Sequence, residues 1–318
     1  MTAEVNLAVE LPGLKLKNPV MPASGTFAFG DLPENFNWDE MGAIVLKTAT
    51  RHARTGKPQP QVSLLADGVM NAVGLTNPGA EVVASEKIPA LREKHPDLPI
   101  LASVGGESVE DYVEVAEILA AAKPDALELN LSCPNVSEGG MTFGIVPEMV
   151  EKITRLVKEK VDLPVKVDLP VYVKLTPNVT SIVEIAQAAE RGGADGLTLI
   201  NTLLGLHLDL KTRRPVLGND FGGLSGQAVK PVAVRMVAQV RQATSLPIIG
   251  VGGINSPEDA AEFILVGASA VQIGSMAFHD KLAIKHVIDG LPAVLADMGA
   301  SDVTSLVGQW QSNKHRKI

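Results

Sequence analysis

The sequence predicts an α/β chain folded as a (β/α)8 TIM barrel, one domain over residues 1–318. Three observations carry this prediction. Short apolar runs recur eight times along the chain. Helical patterns fall between most of them. Asn, Lys, Ser-Gly and Gly-Gly clusters follow directly after the runs. In a barrel, all these strand ends point to one face, where a site is built. In an open doubly wound sheet, the competing architecture, they would spread along a line and few could meet.

The expected strands are 19–23, 43–47, 99–104, 126–131, 171–175, 196–200, 247–251 and 270–274. Helices are expected over 108–122, 147–160, 180–193 and 256–267. The first opens with Ser108 and Asp111 at capping-box spacing. The second has proline near its start and lysines near its end, as the helix dipole favours. The third stops at a Gly pair, and the fourth starts with Ser-Pro and ends in glycine. Long connections follow strands 2, 4 and 6, at 48–80, 131–146 and 201–228. Their specific polar and glycine chemistry predicts lids and substrate walls over the barrel mouth. The unit "VDLPV" occurs twice in 161–175. The second copy is assigned to strand 5, which points Lys174 at the mouth; the other register would put Lys166 there. "DVTSLVGQW" near the end is expected to form a last helix packed on the outside.

Hydrophobic residues make up 46% of the chain and aromatics only 3%, so the core must be aliphatic. A net charge of −8 without a basic stripe makes nucleic acid a poor partner. The N-terminus carries Glu4 and Glu10 and does not resemble a signal peptide. The longest weakly charged run, 263–278, is broken by Gly267 and Gly274 and does not suit a membrane span. A single cysteine can build neither an internal disulfide nor an iron–sulfur cluster. It fits a reducing, cytoplasmic setting. The six histidines offer no metal-ligand spacing, so no metal is expected.

Candidate chemistry gathers after the strands. Gly252 and Gly253 follow strand 7; Gly274 and Ser275 follow strand 8. Barrels often bind phosphate there through backbone N–H groups. Lys47 and Lys174 end strands that otherwise read as buried. Each could hold a carboxylate or phosphate, tune a flavin or form a Schiff base. Asn71, Asn77, Asn130, Asn135 and Asn201 recur at the same face. Their amides suit a planar ring with alternating C=O and N–H groups, although any one alone is more often a turn residue. Cys133, in "LELNLSCPNVSEGG", is the only thiol. A lone cysteine is more often a small buried hydrophobe. In a polar loop, a modest pKa shift would make it a base at neutral pH. No histidine lies near it in sequence, which argues for proton abstraction over a nucleophilic role.

Nine motifs fall in the order found in the class 1 dihydroorotate dehydrogenases, which the chain resembles over nearly its whole length. They are "PASGTF" (22–27), "KTAT" (47–50), "NAVGLTNPG" (71–79), "NLSCPN" (130–135), "VKLTPNV" (173–179), "INT" (200–202), "GGLSG" (222–226), "GVGGI" (250–254) and "IGS" (273–275). The resemblance implies an FMN-containing barrel that oxidises dihydroorotate to orotate in pyrimidine biosynthesis. Cys133 matches the base that takes the C5 proton, while hydride leaves C6 for the flavin. Lys47, Asn71, Asn130, Asn135, Asn201 and Thr202 match orotate contacts, with Gly74 and Leu75 contributing backbone. Ser24, Lys47, Thr48, Asn130, Lys174 and Ile200 match contacts to the FMN ring and ribityl chain. Gly226, Gly252, Gly253, Gly274 and Ser275 match its phosphate side. Ser103 stands where many members have asparagine near the flavin and reaches less far.

"NAVGLTNPG" and "GGLSGQAVKPVAVRMV" look like subclass 1B. That implies a homodimer within a heterotetramer, with a second subunit carrying FAD and a 2Fe–2S cluster and passing electrons to NAD+. Two other readings stay open: a flavin enzyme acting on a related dihydropyrimidine, and a Schiff-base lyase on a phosphate-binding barrel.

Overall fold

The computed structural model describes residues 5–27, 29, 36–131, 143–161 and 169–313. At its centre stand parallel strands β1 (Val20–Pro22), β2 (Ile44–Val45), β3 (Ile100–Val104) and β4 (Ala126–Asn130). They continue as β5 (Val171–Lys174), β6 (Gly196–Leu199), β7 (Ile248–Val251) and β8 (Ala270–Ile273). The hydrogen-bonded order is β1-β8-β7-β6-β5-β4-β3-β2. The last seam is bridged where Gly42 N–H donates to Val20 O at 2.9 Å. The architecture is a (β/α)8 barrel. A side chain at position 42 would place Cβ 2.1 Å from Asn18 O, so only glycine closes this seam.

Every residue of these strands is buried, as expected of a parallel sheet covered on both faces. The covering helices include α1 (Val109–Ala121), α2 (Pro147–Val161), α3 (Ile182–Arg191), α4 (Lys230–Arg241), α5 (Pro257–Val266) and α6 (Ala283–Asp297). Ser108 caps α1 by accepting from Asp111 N. Ser256 and Asp259 form a reciprocal capping box at the start of α5. A further helical stretch, Ala80–Val82, runs through a π turn at Val83–Lys87 into Ile88–Lys94. "DVTSLVGQW" corrects the expectation of a final helix: it holds one 3-10 turn, Thr304–Leu306. Asp302 accepts from Thr304 Oγ1 and Ser305 N, which ties the chain locally, and Gly308 at φ 78° turns it away.

The connections after β2 and β6 build one structure together. Val62–Leu65, Gly68–Asn71, Leu203–Gly205 and Gly222–Ser225 form a four-stranded antiparallel sheet. It carries a small apolar core of Met70, Ala72 and Leu217.

At the other end of the barrel, the hairpin Val9–Leu11/Leu14–Leu16 packs on the floor. Tyr172 donates its hydroxyl proton to Pro12 O at 2.9 Å. Its ring fills the place of a side chain at Gly196, where Cβ would lie 2.4 Å from it. Burial, reinforced by nearby Asp195, raises the Tyr172 phenol above the ordinary tyrosine range. Two aspartates repeat one device here. Asp125, just before β4, accepts from Ile100 N at 2.7 Å and from Arg92 at 2.6 Å. Asp195, just before β6, accepts from Val171 N at 2.7 Å and from Lys158 at 2.9 Å. Each satisfies the N–H that opens the preceding strand.

Candidate active site

The parallel register decides what faces the barrel interior, because paired residues project to the same side. Ser103 pairs with Glu128, Asn130 with Lys174, Lys174 with Thr198, and Val251 with Gln272. The inner wall of an aliphatic barrel therefore carries a polar layer just below its C-terminal mouth. Above it lies a cavity of about 220 Å³.

Lys174 is 4% exposed. Its Nζ donates to Ser24 Oγ at 3.1 Å, Gln272 Oε1 at 3.2 Å and Glu128 Oε1 at 3.4 Å. Gln272 Nε2 donates in turn to Glu128 Oε2 at 2.8 Å. Lys47 reaches the same Ser24–Gly25 turn. A Cβ on Gly25 would lie 3.1 Å from Lys47 Nζ, and Gly25 sits at φ 82°. The glycine leaves the lysine its path and permits the left-handed turn. Two cations thus meet the cavity on one side.

An amide chain crosses the mouth. Thr48 Oγ1 and Ser103 Oγ lie 2.8 Å apart. Asn130 Nδ2 donates to Thr48 Oγ1 at 3.1 Å, and Asn201 Nδ2 donates to Asn130 Oδ1 at 3.3 Å. Thr202 N donates to Asn201 Oδ1 at 2.7 Å. Tyr112 fixes the end of β4 by donating to Asn130 O at 2.9 Å. The antiparallel sheet adds Asn71, whose backbone pairs with Gly223 and whose Nδ2 donates to Gly223 O at 3.4 Å. Gly223 in turn leaves room for Thr202, whose Oγ1 would be 2.1 Å from any Cβ there.

The turn at Gly74 and Leu75 has both residues at positive φ, 78° and 56°. For leucine this conformation is costly and needs outside support. Asn77 supplies it: its amide donates to Leu75 O at 2.7 Å and its Oδ1 accepts from Gly79 N at 2.8 Å. Asn77 is therefore part of the scaffold beneath the site rather than of its wall.

Ser24, Lys47, Thr48, Asn71, Gly74, Leu75, Asn130, Lys174, Ile200, Asn201, Thr202, Gly252, Gly253, Gly274 and Ser275 all line this one cavity. Besides Asn77, two expected residues do not. Ser103, 1% exposed, stands behind Thr48. Gly226 lines an adjoining hollow with Ser275 and Asn255. Cys133, Asn135 and Lys166 lie outside the described residues.

Sequence reasoning missed Glu128, Gln272 and Asn178. Glu128 stands two residues before Asn130 in "LELNL", so the two share a face by strand periodicity; that signal was present. Asn178 donates to Thr202 O at 3.0 Å and accepts from Leu204 N at 2.9 Å, which holds the loop after β6.

A polar cavity at the C-terminal mouth of a (β/α)8 barrel is where enzymes of this architecture work. The family model for dihydroorotate dehydrogenase matches residues 6–295, and the chain belongs to that family, in its class 1 branch. It is an oxidoreductase of pyrimidine biosynthesis. A Lactobacillus helveticus protein called dihydroorotate dehydrogenase A (fumarate) is 59% identical over 97% of this chain and 100% of its own. The Lactobacillus delbrueckii subsp. bulgaricus protein of the same name is 58% identical over the same shares. A Geobacillus kaustophilus protein called dihydroorotate dehydrogenase B (NAD(+)), catalytic subunit, is 50% identical over 97% of both chains.

Proposed function

We propose that the cavity holds FMN and dihydroorotate together, and that the chain oxidises dihydroorotate to orotate. The observation that carries this reading is the convergence of two lysines, an amide chain and a glycine-lined end in one cavity. The residues fit a flavin mononucleotide. At Gly274 a Cβ would meet nothing closer than Ala23 Cβ at 3.5 Å, so the backbone there opens onto the cavity. Gly252, Gly253 and Ser275 share that end, where backbone N–H groups can receive a phosphate. Ser24, Thr48 and Lys174 can hydrogen-bond a polar ring edge, and Ile200 offers it apolar contact. When bound, FMN supplies the hydride acceptor.

Lys47 pairs with the substrate carboxylate. Asn71, Asn130, Asn201 and Thr202 hold the pyrimidine ring, and the Gly74–Leu75 backbone closes over it. The asparagines also stabilise charge developing on the ring oxygens. The Cys133 thiolate takes the C5 proton, and Asn135 joins the substrate amides. A substrate panel tests this assignment. Dihydroorotate should react, and dihydrouracil, which lacks the carboxylate, should not. Equal turnover of both would remove Lys47 from substrate recognition.

For the electron acceptor, the 1B-like motifs support NAD+, reached through a partner with FAD and a 2Fe–2S cluster. The fumarate-named relatives support a second reading, in which fumarate reoxidises the flavin directly. Turnover by the isolated chain with fumarate would favour the second. Turnover with NAD+ only after co-purification with a flavin and iron–sulfur subunit would favour the first.

Exposed Leu204, Leu206, Leu208 and Leu210, with Phe221 nearby in the same excursion, support a homodimer. Sedimentation as a monomer would count against it. The single cysteine supports a reducing, cytoplasmic setting; among the described residues no helix is long and apolar enough to cross a membrane.

A further inference from the structure

Glu128 and Gln272 have no part in the reading so far, yet they are 0% and 1% exposed in the middle of an aliphatic barrel. They come from β4 and β8 and meet Lys174 of β5 in a closed triangle. An ammonium has three N–H donors. Here Glu128 and Gln272 accept two of the bonds and Ser24, at the cavity wall, accepts the third. Gln272 also ties down the second carboxylate oxygen of Glu128.

Such an arrangement is a poor way to gain stability. A buried ion pair is often no better than apolar residues of similar volume, because both charges must leave water. The geometry suits another purpose. The two lower contacts fix the ammonium so that it presents toward Ser24 and the cavity. Glu128 also supplies a counter-charge to Lys174, which weakens the field that the ammonium alone would cast into the cavity.

We propose that Glu128 and Gln272 are positioning residues that hold Lys174 at the cavity wall and balance its charge. In this way they set how strongly the bound flavin attracts electrons. This inference rests on the FMN reading above. It makes opposite predictions for two nearly isosteric changes. Glu128→Gln removes the counter-charge and leaves the ammonium field uncompensated, which favours the reduced, anionic ring. Gln272→Glu adds a second carboxylate beside Lys174 and disfavours it.

The test is the midpoint potential of the flavin in the holoenzyme of parent, E128Q and Q272E. It is measured by spectroscopic titration against redox dyes at alkaline pH, with melting temperatures taken in parallel. E128Q should shift the potential upward and Q272E downward. Loss of melting temperature with both potentials at the parent value would overturn the inference and leave a packing role only. If E128Q does not fold, the sign of the Q272E shift decides alone. A parent that takes up no FMN would sink the functional reading and this inference with it. A yellow parent with unmoved variants would sink only the inference.

Discussion

The two ends of this barrel use polar residues in opposite ways. At the floor, Asp125 and Asp195 each close a small local ring: one backbone N–H, one cation, one carboxylate. Tyr172 likewise sends its hydroxyl to a single carbonyl of the N-terminal hairpin. At the mouth, polar side chains from β4 and β5, from just past the ends of β1, β2 and β6, and from the antiparallel sheet converge on one shared cavity. The floor's groups finish the fold, and the mouth's groups line a cavity large enough to admit a ligand. Polar residues that are saturated locally report on stability. Polar residues that converge from distant parts of the chain report on function.

Substitutions at the two ends should have different consequences. The largest effect is expected at the mouth. Cys133→Ala should lower turnover at neutral pH by roughly 100- to 10,000-fold, the range of a lost general base, while FMN stays bound. Flavin absorbance and steady-state rates check both halves. Retained activity would remove the thiol from the mechanism. Lys47→Ala should weaken dihydroorotate binding by about 1.5–3 kcal/mol, as for a lost hydrogen bond to a charged group. Substrate titration of the oxidised enzyme reads it, and the melting temperature should barely move.

The floor should answer in the other direction. Asp195→Ala should cost about 2 kcal/mol of stability through the loss of its bonds to Lys158 and Val171 N. Activity per folded molecule should be unchanged, as urea unfolding and active-site titration would show. A collapse of activity at full stability would dissolve the distinction between the two ends. The smallest effect concerns pH. The Tyr172 phenol is raised in the folded state, so its contribution is complete below the unfolded value of about 10 and fades as pH climbs above it. Tyr172→Phe should flatten that alkaline loss in a melting-temperature profile. An unchanged profile would assign the loss to other groups.

Much of this was legible in the sequence. All eight strands lie within the expected runs, because a buried parallel strand leaves a continuous apolar signal bounded by turns. Ser108 and Ser256 announced two helix starts through their capping partners. Three helical stretches went unnamed for physical reasons. Pro89 interrupts the pattern at 80–94, and the chain accommodates it at the start of a new segment after a π turn. α4 is rich in β-branched valine, and α6 contains Pro292. The antiparallel sheet was invisible because its strands come from connections more than 100 residues apart, as the Ser225–Val69 contact shows. No local pattern encodes that pairing.

The mouth residues were legible where strand ends displayed them. Glu128 and Gln272 were harder to read: periodicity puts Glu128 on the face of Asn130, but a polar residue inside a strand also fits a half-buried surface. Only the register shows that both point inward at Lys174. Asn77 was misleading in the opposite sense: in sequence it belongs with the site asparagines, and in space it supports the strained turn that the site uses.

In the proposed reaction this mouth binds a flavin which dihydroorotate reduces. The most direct measurement is anaerobic addition of dihydroorotate to the purified, FMN-loaded chain, followed in the visible flavin band. The protein should be yellow, bleach on addition and regain its colour with an electron acceptor. A chain that takes up no FMN, or one whose flavin band is unmoved by dihydroorotate, would contradict it.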